Sequence, residues 1–160
     1  MIADELGTKS IDLKTFDKSM IDVNTLVIYG GSLHAVGING FKEFKKKSCG
    51  IYKSLIVFAV GASPKKEGVE RELIDSNFND EEKENIRLFY LRGGFDNSKL
   101  DIKNRILMRL LKMKIQIKKE NKRTGDEKGM LAAFKKPLDA VNRENIKELA
   151  DYVRSLNMIN

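Results

Sequence analysis

Three apolar runs, each closed by a loop of small residues, constrain this chain more than any other feature. They read LVIYGGSLHAVGING from Leu26, SLIVFAVGASP from Ser54 and RLFYLRGGF from Arg87. Unbroken runs of β-branched and aromatic residues mark strands buried on both faces, as in a parallel sheet. In open α/β sheets the ligand lies beyond the carboxyl ends of the strands, where glycine-rich loops let backbone approach it closely. Gly30, Gly31, Gly37, Gly40, Gly61, Gly93 and Gly94 fall there, seven of the twelve glycines. The expectation is therefore a cofactor site at one edge of one sheet.

With 160 residues the chain is expected to form a single domain, long enough to bury a core without disulfides or metals. Its one cysteine, Cys49, cannot form an intramolecular bridge. The sequence has no apolar run of about 18 residues and is read as lacking a secretory leader, so the expectation is a soluble, reducing, cytoplasmic setting. One histidine and one cysteine leave too few soft ligands for a zinc or iron site.

Between the apolar runs lie amphipathic stretches. The pattern predicts strands over Ser10–Leu13, Thr25–Tyr29, Ser54–Val60 and Arg87–Leu91, and helices over Phe41–Lys47, Lys65–Ile74 and Asp80–Glu84. Ser63 followed by Pro64 reads as a helix start, and Asn79 with Glu82 as a capping box. A long helix follows over Asp101–Lys119, with the stripe Ile102, Ile106, Leu110, Met113 and Ile117, and a last one over Arg143–Leu156. Strands alternating with helices imply crossover connections and a parallel sheet.

The segments GGSLHAVGINGF, VFAVGASP and FYLRGGFDNSKLDIKNRILMRLLKMK resemble the flavodoxin-domain family, in particular the branch related to menaquinone-dependent protoporphyrinogen oxidase. The resemblance runs from Met1 to about Leu156. It implies a flavodoxin-like three-layer sandwich with a parallel sheet of order 2-1-3-4-5, binding one FMN non-covalently for electron transfer or as a flavin-dependent oxidoreductase. Against that pattern, Met1–Leu6 matches the end of the first helix, so strand 1 and its phosphate loop are expected to be missing from this chain. The expectation that follows is an N-terminally truncated domain that binds FMN weakly or not at all, with an authentic start upstream. The alternative is a cofactor-free remnant serving as an interaction domain.

The resemblance also assigns candidate residues. Gly31, Ser32, Leu33, His34, Ala35 and Gly37 correspond to the loop packing one face of the isoalloxazine ring, where His34 either stacks on the ring or is a solvated loop histidine. Gly37 either supplies a backbone group to the reactive flavin nitrogen N5 or is a turn glycine. Gly61, Ala62 and Ser63 match the second flavin loop, with Ser63 bonding the cofactor or capping the next helix. Gly93 and Gly94 form a third loop at the same edge. No residue is singled out as a catalytic acid or base.

The net charge of +7 is concentrated: residues 99–123 carry ten Lys or Arg against Asp101 and Glu120. The helix over 101–119 is read chiefly as a core helix with a solvated basic face, and secondarily as a peripheral contact with an anionic membrane. Its basic residues lack interleaved aromatics and no nucleic-acid motif is present, so no nucleic acid partner is expected. The expected partners are a redox protein or a quinone, and a strand-deficient sheet edge makes a homodimer a further expectation.

Overall fold

β-branched residues favour the pleated strand because their restricted χ1 packs well there, and the three apolar runs all become strands. The computed structural model describes residues 1–34 and 36–157. The strands are β1 (Leu26–His34), β2 (Gly37–Ile38), β3 (Ser54–Gly61) and β4 (Ile86–Arg92), in the sheet order β2-β1-β3-β4. β1 and β3 are parallel, Leu26 opposite Ser54 through Ser32 opposite Val60, whereas β2 folds back antiparallel on Leu33 and His34. The helices are α1 (Ile2–Glu5), α2 (Phe41–Ser48), α3 (Val69–Asn77), α4 (Asp80–Lys83), α5 (Ile102–Ile117), α6 (Gly125–Lys135) and α7 (Glu144–Asn157).

The chain divides into two compact units: residues 1–61, 65–91 and 142–160 form the first, and residues 62–64 and 92–141 the second. In the first unit, neighbouring strand residues bury on opposite faces. Tyr29, Leu55, Val57, Ala59, Leu88 and Tyr90 pack with Phe41, Phe44, Leu73 and Phe78 of the α2–α4 side. Ile56, Phe89 and Leu91 pack with Ile146, Leu149 and Val153 of α7, joined by Ile2 and Leu6. The result is three layers, with helices on both faces of a mostly parallel sheet. Glu5 ties α1 to α7 through Arg154, Nη2 to Oε1 at 2.7 Å.

Several expectations hold. α2 and α4 lie where predicted, and Asn79 with Glu82 forms the capping box, each side chain accepting the other's backbone N–H. Others are corrected. Ser10–Leu13 is not a strand: Asp12 accepts the Lys14 N–H on its carboxylate at 2.8 Å and those of Thr15 and Phe16 on its carbonyl. A local side chain has captured the backbone in a turn, and the 2-1-3-4-5 order loses that strand as well. Nor does Ser63 cap α3, which begins after Gly68 at φ 77°, a left-handed turn that glycine adopts without strain.

In the second unit, α5 is capped by Asp101, which accepts the Asn104 N–H at 2.8 Å. Its buried residue is Ile115, held near Arg123, whose Nε donates to the Ile115 carbonyl at 3.1 Å. The five-residue stripe predicted to face a core is exposed, from 54% at Ile106 to 83% at Ile117. Periodicity identified the amphipathic helix correctly but not what its apolar face meets, because spacing carries no information about the third dimension.

Candidate functional site

A strand in a parallel sheet ends where its ladder ends, and β1 ends by turning back on itself. Leu33 pairs with Ile38 and His34 with Gly37, while the Asn39 N–H donates to the Ser32 carbonyl at 2.9 Å. The turn is anchored from two sides. The Tyr29 hydroxyl donates to the Asn39 carbonyl at 2.7 Å, and burial, with Glu43 adding to it, pushes that phenol above its usual pKa. From α3, the Asn77 side chain accepts the Ile38 N–H at 2.9 Å and donates to the Val36 carbonyl at 2.7 Å and to Leu73 at 2.8 Å. Tyr29 and Asn77 escaped the sequence reading. An asparagine in the last turn of a helix has an ordinary sequence signature, and only the fold shows that it reaches the turn.

This places Gly31, Ser32, Leu33, His34 and Gly37 on one hairpin at the carboxyl edge of the sheet. Ser32 and His34 are exposed, Gly31, Leu33 and Gly37 half-buried, and Ala35 lies outside the described residues. Gly61 ends β3 one position past the Ser32–Val60 pair, so it lies at the same edge as the hairpin. The glycines differ in what they make room for. A Cβ on Gly30 would overlap the Phe58 ring, one on Gly31 would meet the Asn39 carbonyl at 2.7 Å, and one on Gly61 would overlap the Tyr90 hydroxyl. Those three are small because neighbours fill the space. Gly37 is open, with only the His34 carbonyl within 4 Å, at 3.5 Å.

Ala62, Ser63, Gly93 and Gly94 belong to the second unit. There the Arg92 Nε donates to the Ala62 carbonyl at 3.5 Å, and Phe95 pairs with Leu138, N–H to carbonyl at 2.8 Å and 2.9 Å. Gly93 is buried and Gly94 exposed, its missing Cβ facing the Leu138 carbonyl at 2.9 Å. Asp96 then caps the following turn, accepting from the Ser98 hydroxyl at 2.6 Å and the Ser98 N–H at 2.9 Å, and those bonds hold its carboxyl below the usual range.

A model of the flavodoxin domain matches residues 1–123. The chain belongs to the flavodoxin-domain family. Neither a curated protein nor a solved structure shows significant similarity to it. Family membership agrees with the layered α/β architecture and carries flavin-binding redox function in general terms. At the carboxyl edge of the sheet the hairpin carries exposed His34 next to Gly37, and it is held in place through Tyr29 and Asn77. Among the described residues no group of three or more His, Cys, Asp or Glu is arranged to hold a metal, and no helix is long and apolar enough to cross a membrane.

Proposed function

We propose that this protein is an FMN-binding redox domain whose hairpin Gly31–Gly37 receives one face of the isoalloxazine ring. The observation that carries the reading is the anchored hairpin at the carboxyl edge, presenting an exposed imidazole beside a glycine with open space at its Cβ position. His34 would lie flat against the ring, an aromatic contact of about 0.5–1.5 kcal/mol beyond burial. The Gly37 peptide would orient the ring edge, and the apolar side of the turn, Leu33 and Ile38, would limit water there. Bound flavin would supply the electron-transfer chemistry, and the hairpin its position and electrostatic surroundings. Gly61, in the same unit as the hairpin, is a further residue assigned to the cofactor.

The finer assignment, to the branch related to menaquinone-dependent protoporphyrinogen oxidase, is supported by the Gly93–Gly94–Phe95–Asp96 turn leading into α5. A redox protein or a quinone would exchange the electrons. The exposed stripe of α5 beside Lys103, Arg109, Lys112 and Lys114 supports contact of this helix with an anionic membrane surface. The deciding test is an absorbance spectrum from about 300 to 550 nm, recorded as FMN is added to the purified chain. Shifted flavin bands that approach one FMN per chain only with excess FMN are expected; free-flavin spectra throughout would refute the reading and favour a cofactor-free interaction domain.

A further inference from the structure

An edge strand presents a row of backbone donors and acceptors on its outer side, a template for pairing with another chain unless something covers it. β4 is such a strand, the last in the order β2-β1-β3-β4. Residues 88–91 at its centre are all apolar and buried, with Arg87 and Arg92 at the flanks. An apolar run of this kind, without proline or glycine and with charge only at its ends, has the composition that self-pairs when its edge is open. Yet the Tyr90 N–H donates to Oε1 of Glu70 at 3.0 Å. A carboxylate therefore stands where the carbonyl of a further strand would accept.

That carboxylate is itself held. Glu70 lies in the first turn of α3, and the same Oε1 accepts from the Lys65 ammonium at 2.9 Å. Lys65 also donates to Oε2 of Glu148 on α7 at 3.2 Å. The Glu70 hydrogen bond, opposed by partial burial and aided by Glu148, raises the Lys65 pKa above its usual value. Glu148 Oε1 in turn pairs with Nη2 of Arg87 at 3.9 Å, and that guanidinium lies over the Phe89 and Tyr152 rings at 5.3 Å and 5.4 Å. α3 packs on one face of the sheet and α7 on the other. The series Glu70, Lys65, Glu148, Arg87 thus runs from one helical layer to the other around the rim of β4.

We propose that this strap is a guard against self-association: Glu70, anchored by Lys65, occupies the hydrogen-bonding edge of β4 and keeps it from pairing with β4 of a second copy. The second copy is the partner to exclude because an edge strand laid antiparallel to itself about a two-fold axis meets its own apolar centre and its own row of donors and acceptors. Such pairing needs the Tyr90 N–H, and Leu88, two positions back, turns its N–H to the same edge. Half-exposed ion pairs add little to stability, so the strap is better accounted for by what it covers than by what it holds together. The guard is independent of flavin binding.

The test compares the full 160-residue chain with Glu70→Ala by amide hydrogen exchange across a dilution series. In the parent the Tyr90 amide should be equally protected at every concentration. In dilute Glu70→Ala it should exchange about tenfold or more faster, while Val57 in the centre of β3 keeps its parent rate. As that variant is concentrated, Tyr90 and Leu88 should regain protection together, and sedimentation should show a heavier species forming. Lys65→Met, which leaves the carboxylate but removes its anchor, should give a smaller loss at Tyr90 in the same direction. A Tyr90 amide as slow in Glu70→Ala as in the parent would overturn the proposal. So would acceleration that extends equally to Val57 in both variants, which would make the strap a matter of stability alone, or fast exchange at Tyr90 that concentration does not change.

Discussion

Asn77→Ala gives the most direct test of how the candidate site is held. Asn77 makes three hydrogen bonds, and two of them, to the Ile38 N–H and the Val36 carbonyl, join α3 to the hairpin. Ile38 is 6% exposed, so truncation leaves a buried amide without a partner. An orphaned buried donor costs about 1–3 kcal/mol, and losing the exposed Val36 bond adds about 0.5–1 kcal/mol. The bond to Leu73 lies within the helix, where that carbonyl sits in the last turn, and contributes little. The sum is about 1.5–4 kcal/mol. For a chain of this size each kcal/mol shifts the melting temperature by about 2–4 °C, so a fall of about 3–16 °C is expected. Circular dichroism melts and urea titrations should agree, and exchange at the Ile38 amide should accelerate more than at Val57 in the centre of β3. If flavin binds, affinity should fall as well, because the ring platform loses its anchor. A variant within about 0.5 kcal/mol of the parent would refute the account, since that is the range of substitutions that touch nothing of consequence.

Further outcomes follow from the same contacts. His34→Ala should weaken FMN binding about five- to tenfold by titration, the equivalent of about 1–1.4 kcal/mol of stacking, while leaving the melting temperature unchanged because the residue is exposed. Gly61→Ala should destabilise by about 1–3 kcal/mol in urea unfolding, because its Cβ overlaps the Tyr90 hydroxyl, and pairing it with Tyr90→Leu should recover part of that. Burial pushes the Glu82 carboxyl up, but the Lys45 ammonium at 2.9 Å and the Asn79 N–H more than offset it, so the group titrates below its usual value. A depressed folded-state pKa contributes stability above the unfolded value, lost as pH falls through the folded one. Glu82→Gln should therefore cost about 1 kcal/mol at pH 7, and the gap should close on acidification below about pH 4.5; a gap that is constant with pH would assign the loss to packing.

Much of this protein follows from local rules. The three strands lie where unbroken β-branched runs stand, α4 starts at its capping box, and α2 and α7 follow their apolar spacing, because propensity, capping and burial on both faces are properties of neighbouring residues. The layered α/β architecture and the placing of the first two glycine loops at the strand ends were legible for the same reason. What the sequence could not settle depends on partners far along the chain. Ile38 and Asn77 are separated by 39 positions, and nothing near either announces the bond that holds the hairpin. Gly30 and Gly61 read as openings for a ligand, yet Phe58 and Tyr90 from adjacent strands occupy the space beside them. Ser10–Leu13 had the residues of a strand and lost to a turn on Asp12, and the stripe of α5 had the spacing of a core face and stands exposed. That β4 stands at the rim is likewise a property of sheet order alone: a strand's own residues say that it will pair, and only the tertiary structure decides on how many sides.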